Sequence, residues 1–324
     1  MPSTQWVLSR AQRAQTRNLR LKVLKLKVLG RKVLGRKVLG HKVLIQKVSK
    51  HHRWLAAVLW LICGSLPTAH AVVPQRILGD TLPADATIAS FNKTINSGRF
   101  HGAALAQRYW ERGLQYARLG QYDHAVSDYS SAIELNPQLV DTRIDRAIGY
   151  ARLEQYNQAY AELNTVVQHH PDNLRAYLTR GTLSFLVGKY DQAAADFKRY
   201  LQLNPNDIYR MLWLYLSEKY HNRDAVSDVA QFSTKVNLDE WPGAILKLYL
   251  GEVDADTVIE ALSKGAPNMQ IGNACEAYYY LGQYYLLQND RRTALELFNK
   301  AIATNAKAYV EYEFALAYSL KLKQ

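Results

Sequence analysis

Cysteine is almost missing from this chain: 324 residues hold two, Cys63 and Cys275. That excludes a disulfide-stapled fold and any paired-cysteine zinc spacing. Methionine is scarce too, with none between Met1 and Met211. No Gly-rich phosphate loop, His-Glu-x-x-His pair or Gly-x-Ser-x-Gly elbow occurs, so the familiar nucleotide, zinc-protease and serine-hydrolase chemistries have no foothold. The scattered carboxylates are those of any soluble protein and are no evidence of catalysis. We therefore expect no enzyme, no metal and no cofactor. Residues 1–71 lack Asp and Glu altogether while holding 15 Lys and Arg. The other 253 residues balance 26 basic against 28 acidic groups, so the overall charge of +13 is a property of the leader. A nucleic-acid-binding body is excluded on that ground.

The leader divides in two. Residues 1–53 are basic and of low complexity, with a pentapeptide repeated as Lys27-Val-Leu-Gly-Arg31, Lys32-Val-Leu-Gly-Arg36 and Lys37-Val-Leu-Gly-His41. A period of five presents no constant face on a helix and swaps faces on a strand. The expectation is tandem DNA translated ahead of the true start. Residues 54–71 follow as an apolar core, Trp54 to Leu66, ending in Ala69-His-Ala71. Basic, apolar and small residues in that order form a secretory signal peptide, with the mature chain starting at Val72. Cys63 has Ile62 before it, where a lipidation site needs a small residue. Residues 72–102 read as a linker with a short packing helix over Thr87–Asn96.

Three prolines then set the architecture. Pro137, Pro171 and Pro205 stand 34 residues apart, each behind a related turn: Gly120-Gln-Tyr-Asp-His-Ala125, Glu154-Gln-Tyr-Asn-Gln-Ala159 and Gly188-Lys-Tyr-Asp-Gln-Ala193. This period is the signature of the tetratricopeptide repeat, a helix pair that stacks into a solenoid. With each proline at position 32, position 8 holds Gly113, Ala147 and Gly181. Positions 20, 24 and 27 hold Ala125, Tyr129 and Ala132, then Ala159, Leu163 and Val166, then Ala193, Phe197 and Tyr200. Small residues at 8 and 20 allow close helix approach. Asp123, Asn157 and Asp191 are expected to cap the second helix of each pair, helix B. Gly120 and Gly188 are expected to end the first, helix A, in left-handed geometry.

Residues 103–205 are thus three repeats, and residues 206–274 read as two degenerate helix pairs. Asp207 and Asp224 are placed to start helices, and Gly251 to stop one. Residues 275–324 carry a fourth repeat and a final helix, with Gly282, Ala294, Phe298 and Ala301 in register and Ala306 where the proline would be. Cys275 enters that repeat as a buried thiol. The fold class is all-α, a tetratricopeptide-repeat solenoid.

The candidate site is the concave groove lined by helix A. Positions 5, 9 and 13 supply Trp110, Leu114 and Arg118 in the first repeat and Ile144, Ile148 and Arg152 in the second. The third adds Arg175, Leu178 and Phe185. Such a surface suits an apolar peptide or a packed helix, unless the protein's own N-terminal segment fills part of it.

Four segments carry a closer likeness: Arg210-Met-Leu-Trp-Leu-Tyr-Leu-Ser-Glu218, Leu248-Tyr-Leu-Gly251, Tyr280-Leu-Gly-Gln-Tyr-Tyr285 and Tyr309-Val-Glu-Tyr-Glu-Phe-Ala-Leu316. Over roughly residues 100–320 the chain resembles the new lipoprotein I (NlpI) family of the Gram-negative envelope. The resemblance implies a non-enzymatic, homodimeric adaptor that docks a periplasmic processing protease and peptidoglycan hydrolases and so controls wall enlargement. The lipidated cysteine of that family has no counterpart, which favours a soluble periplasmic form, with peripheral membrane association, over an outer-membrane lipoprotein. The alternative is an assembly factor for a secretion or pilus system.

Overall fold

The computed structural model describes residues 84–262 and 269–323. The leader, Cys63 and the expected start at Val72 lie outside the described residues. Within them are fourteen α-helices and no strand. A single helix leads, α1 (Ala84–Asn96). Three pairs follow: α2 (Gly102–Arg118) with α3 (Tyr122–Leu135), α4 (Val140–Arg152) with α5 (Tyr156–His169), and α6 (Leu174–Leu186) with α7 (Tyr190–Leu203). The middle comprises α8 (Ile208–Tyr220), α9 (Ala225–Ser233), α10 (Gly243–Leu250) and α11 (Ala255–Leu262). The C-terminal part comprises α12 (Gln270–Leu287), α13 (Arg291–Ala303) and α14 (Val310–Leu322).

Each pair closes as its sequence requires. Positions 20, 24 and 27 are buried in all four recognised repeats, from Ala125, Tyr129 and Ala132 to Ala294, Phe298 and Ala301. Position 8 lies against position 24. A Cβ on Gly113 would stand 2.6 Å from Cε1 of Tyr129, and one on Gly282 would stand 2.6 Å from Cε1 of Phe298. The glycines are there because an aromatic ring occupies that space.

Helix A ends in one left-handed residue: Gly120, Glu154 and Gly188, at φ 72°, 61° and 80°. The next N–H then reaches back to the helix, as from Gln121 to the Tyr116 carbonyl at 2.9 Å. Asn222 repeats this conformation 34 residues after Gly188, at φ 60°, with Arg223 N–H bonded to the Glu218 carbonyl at 2.9 Å. So α8 and α9 form a fourth pair in backbone register. Only the signature is displaced: α9 buries Ala225, Val229 and Phe232 rather than residues 227, 231 and 234. Asp207, Asp224 and Asp290 cap α8, α9 and α13, accepting from Arg210, Val226 and Thr293 N–H respectively.

The capping expected of Asp123, Asn157 and Asp191 is corrected. Helix B starts two residues earlier than such a cap would place it, behind Gln121, Gln155 and Lys189, and none of these makes a side-chain cap. Asp123 and Asp191 sit inside the first turn, where a carboxylate still interacts favourably with the helix dipole.

The stack is held by an arginine ladder. Position 7 is Arg112, Arg146 and Arg180; position 23 is Asp128, Glu162 and Asp196. Arg112 grips Asp128 with two bonds of 2.8 and 2.7 Å, and Arg180 grips Asp196 with two of 2.9 and 2.6 Å. Arg146 pairs with Glu162. The remaining arm of each reaches back to the preceding helix: Arg112 to Asn92 at 2.6 Å, Arg146 to Ser130 at 3.1 Å, Arg180 to Asn164 at 2.8 Å. Paired forks of this kind are the strong form of the charge-assisted hydrogen bond. Asn92 lies on α1, so α1 takes the place of a preceding helix B and covers the end of the stack.

Candidate functional site on the concave face

Trp110 is half-buried on α2, and its indole N–H donates to Oδ2 of Asp145 on α4 at 2.8 Å. Arg175 on α6 pairs with the same Asp145 and reaches Asp141 at 3.3 Å. One polar chain therefore ties three successive A helices together across their concave side. Leu114 and Ile148 are half-buried and Arg118 is exposed. These residues, with Trp110 and Arg175, keep surface that a partner can touch.

The other four expected groove residues do not. Ile144 is 0 % exposed and packs with Ala147, Leu163, Ala176 and Leu183. Successive A helices meet there, so position 5 of the second repeat is consumed by the stack. Leu178 and Phe185 are buried in the larger cluster around Trp213, and Arg152 is buried over the ring of Tyr122.

Among the described residues, what covers them comes from the middle and C-terminal helices, while the segment before residue 84 lies outside the described residues. Phe185 meets Trp213 of α8 edge-on at 4.8 Å between ring centroids, and Trp213 meets Phe314 of α14 at 4.9 Å. Tyr220 of α8 donates to Gln283 of α12 at 2.6 Å, and Tyr318 of α14 lies close enough to influence its hydroxyl. The charge of Arg152 opposes the rise that burial imposes on the carboxyl of Glu313 on α14. Helices α12 and α14 thus lie against α8. The sequence signal was present in α14, whose apolar residues do not gather on a single face and leave it without a polar one.

A buried carboxyl pair marks the same seam. Glu276 accepts from the Trp241 indole at 2.6 Å and the Tyr209 hydroxyl at 2.9 Å, yet burial and the nearby Glu311 push its pKa up to about 8. Burial raises Glu311 to about 7, against the pull of Arg210 and the hydroxyl of Tyr280 at 3.3 Å. Burial also raises the Cys275 thiol to about 12, which makes it an unreactive core group. His169 and His170 are exposed at the end of α5, and no set of His, Cys, Asp and Glu among the described residues could hold a metal ion. No helix among the described residues is long and apolar enough to cross a membrane.

Comparison with known proteins gives the class. Residues 106–139, 174–207 and 276–308 each match a family model described as a tetratricopeptide repeat. The first two matches begin at position 1 of the register used above. Among solved structures, a tetratricopeptide repeat protein from Parabacteroides merdae is 17% identical, with a TM-score of 0.50 over 74% of this chain and 93% of that one. A thermophilic repeat protein from Thermus thermophilus is 20% identical over 65% of this chain and 98% of that one, with a TM-score of 0.39. YrrB, a repeat protein described as having an unusual peptide-binding site, is 16% identical over 67% and 93%, with a TM-score of 0.40. The chain is an all-helical solenoid built on tetratricopeptide repeats, the architecture of a protein-interaction scaffold rather than of a catalyst.

Proposed function

We propose that the chain is a non-enzymatic periplasmic adaptor of the NlpI-like kind. It docks a processing protease and peptidoglycan hydrolases as a homodimer, and so controls cell-wall enlargement. The observation that carries a binding role is the open concave surface of the first two repeats, where Trp110, Leu114, Ile148 and Arg118 remain within reach. The choice of partners rests on the four segments that resemble the NlpI family.

A purified PDZ-type processing protease and a peptidoglycan hydrolase, each titrated onto the intact chain, test the reading. Trp110→Ala with Leu114→Ala should weaken capture by about 2 kcal/mol or more, as loss of an aromatic anchor does, while helicity is retained. Ile144 is unsuitable for this purpose, because its replacement would hollow the stack. Unchanged capture by the folded double variant would move the site away from the concave face. Sedimentation equilibrium reads the dimer separately, and a monomer at every concentration would remove that part.

A further inference from the structure

A solenoid normally ends in a helix with one polar outer face. Helix α14 has none, and its residues 310–319 are all buried or half-buried. One side rests on α12 and α13, where Ser319 bonds Asn299 at 2.9 Å. The other enters the concave face. Phe314 lies between Trp213 of α8 and Tyr279 of α12, and Tyr318, one turn on, stacks on Phe298 of α13 with Tyr220 near its hydroxyl. Glu313, beside Phe314, feels the positive charge of Arg152, which opposes the rise that burial imposes on its carboxyl. Anchors at i and i+4 seated in a groove are the pattern by which an amphipathic helix is recognised in trans. Here the helix belongs to the chain itself. It is the last described helix, joined to α13 through Asn305 and Ala306, where the first three repeats have a proline.

We propose that α14 is a ligand held in cis on the concave face. The partner admitted there is a helix of the same chemistry: two aromatic anchors one turn apart with a carboxylate beside the first. It displaces α14 and takes over Trp213, Tyr220 and Arg152. The proposal rests on the adaptor reading for the existence of a partner and on these contacts for its chemistry.

The test uses the full chain and a fluorescent peptide of residues 308–324. A site occupied in cis lowers apparent affinity by the fraction of time it is closed, so weakening the internal helix should reveal it. Phe314→Ala in the chain should bind the peptide about tenfold more tightly than the unmodified chain, a modest shift of that fraction. A peptide carrying the same substitution should bind neither. Should Phe314→Ala cost the chain its helicity, Glu313→Arg serves as the second weakened variant. Hydrogen exchange of the unmodified chain adds an independent reading, with α14 expected to exchange faster than α12 and α13. Equal peptide affinity for weakened and unmodified chains overturns the proposal, as does exchange of α14 in step with α12 and α13. Protease capture through Trp110 without any peptide binding also overturns it, and leaves the adaptor reading intact.

Discussion

At position 7 the first three repeats place Arg112, Arg146 and Arg180, while the two later pairs place Leu214 and Leu281. At position 23 the same repeats place Asp128, Glu162 and Asp196 against Ala230 and Leu297. Both solutions join a helix pair at the same point. The ionic one adds an arm to the preceding helix, which suits an open stack in which each pair meets mainly its neighbours in sequence. The apolar one makes no such demand, and the C-terminal part spends its polar groups elsewhere, at the seam where α12 and α14 meet α8. The difference teaches that one backbone period tolerates two chemistries, provided no buried charge is left without its partner.

The largest effect should come from breaking one rung. Arg180→Leu strands the buried Asp196 carboxylate and is expected to cost about 3–5 kcal/mol. Adding Asp196→Leu reproduces the pair found in the last repeat and should restore most of the loss. Denaturant midpoints of the single and double variants decide it, and a double variant no better than the single would show that the two chemistries are not interchangeable.

Overpacking comes next. Gly113→Val meets a Tyr129 ring atom at 2.6 Å, whereas at Gly181 the nearest atom is 3.1 Å away. Both should destabilise, by about 1–3 kcal/mol for extra methyl groups in a packed contact, with Gly113→Val the worse. The reverse order of thermal midpoints would undo the assignment of which repeat is tighter.

The seam of the C-terminal part should make stability depend on pH. Glu276 and Glu311 have folded pKa values raised to about 8 and about 7, so the folded state holds protons that the unfolded chain has released. Stability is fully present at acidic pH and falls as pH rises from the ordinary carboxylate range towards about 8. Glu276→Gln should flatten that slope, whereas the ladder variants should leave it in place. A denaturation midpoint constant from pH 5 to 8 in the unmodified chain would contradict the burial of this pair.

Capping gives the smallest difference. Asp207→Ala removes a real cap and should cost about 1 kcal/mol. Asp123→Ala removes only a charge near a helix start, for roughly 0.3–1 kcal/mol in such settings. Equal losses would mean that Asp123 caps after all.

The repeats were legible because their causes are local. Gly113, Ala125, Tyr129 and Pro137 report a period by themselves, and the structure buries or bends each where the period requires. The fourth pair was harder to see. Its backbone keeps the step at Asn222, but Tyr215 stands at the small position and α9 shifts its buried residues by two, so residue type and backbone period part company. Asp123 misled for a related reason: an acid near a helix start has two uses, and two residues of offset separate them. The ladder was open to inspection in Arg112, Arg146 and Arg180 with acids sixteen residues on, yet a list of small and apolar positions passes over it.

By itself, then, the sequence determined the helix pairs, their turns, their packing residues and the class of the protein, since each follows from spacing within about 34 residues. Which groove residues stay open was decided only by the tertiary structure. Phe185, Trp213 and Phe314 lie far apart in the chain and meet because the C-terminal helices turn back onto the concave face. No period in a sequence records a contact made across that distance. The same holds for Glu276 and Glu311, ordinary carboxyls as residues, whose protons are held by the interior that the closed fold builds around them.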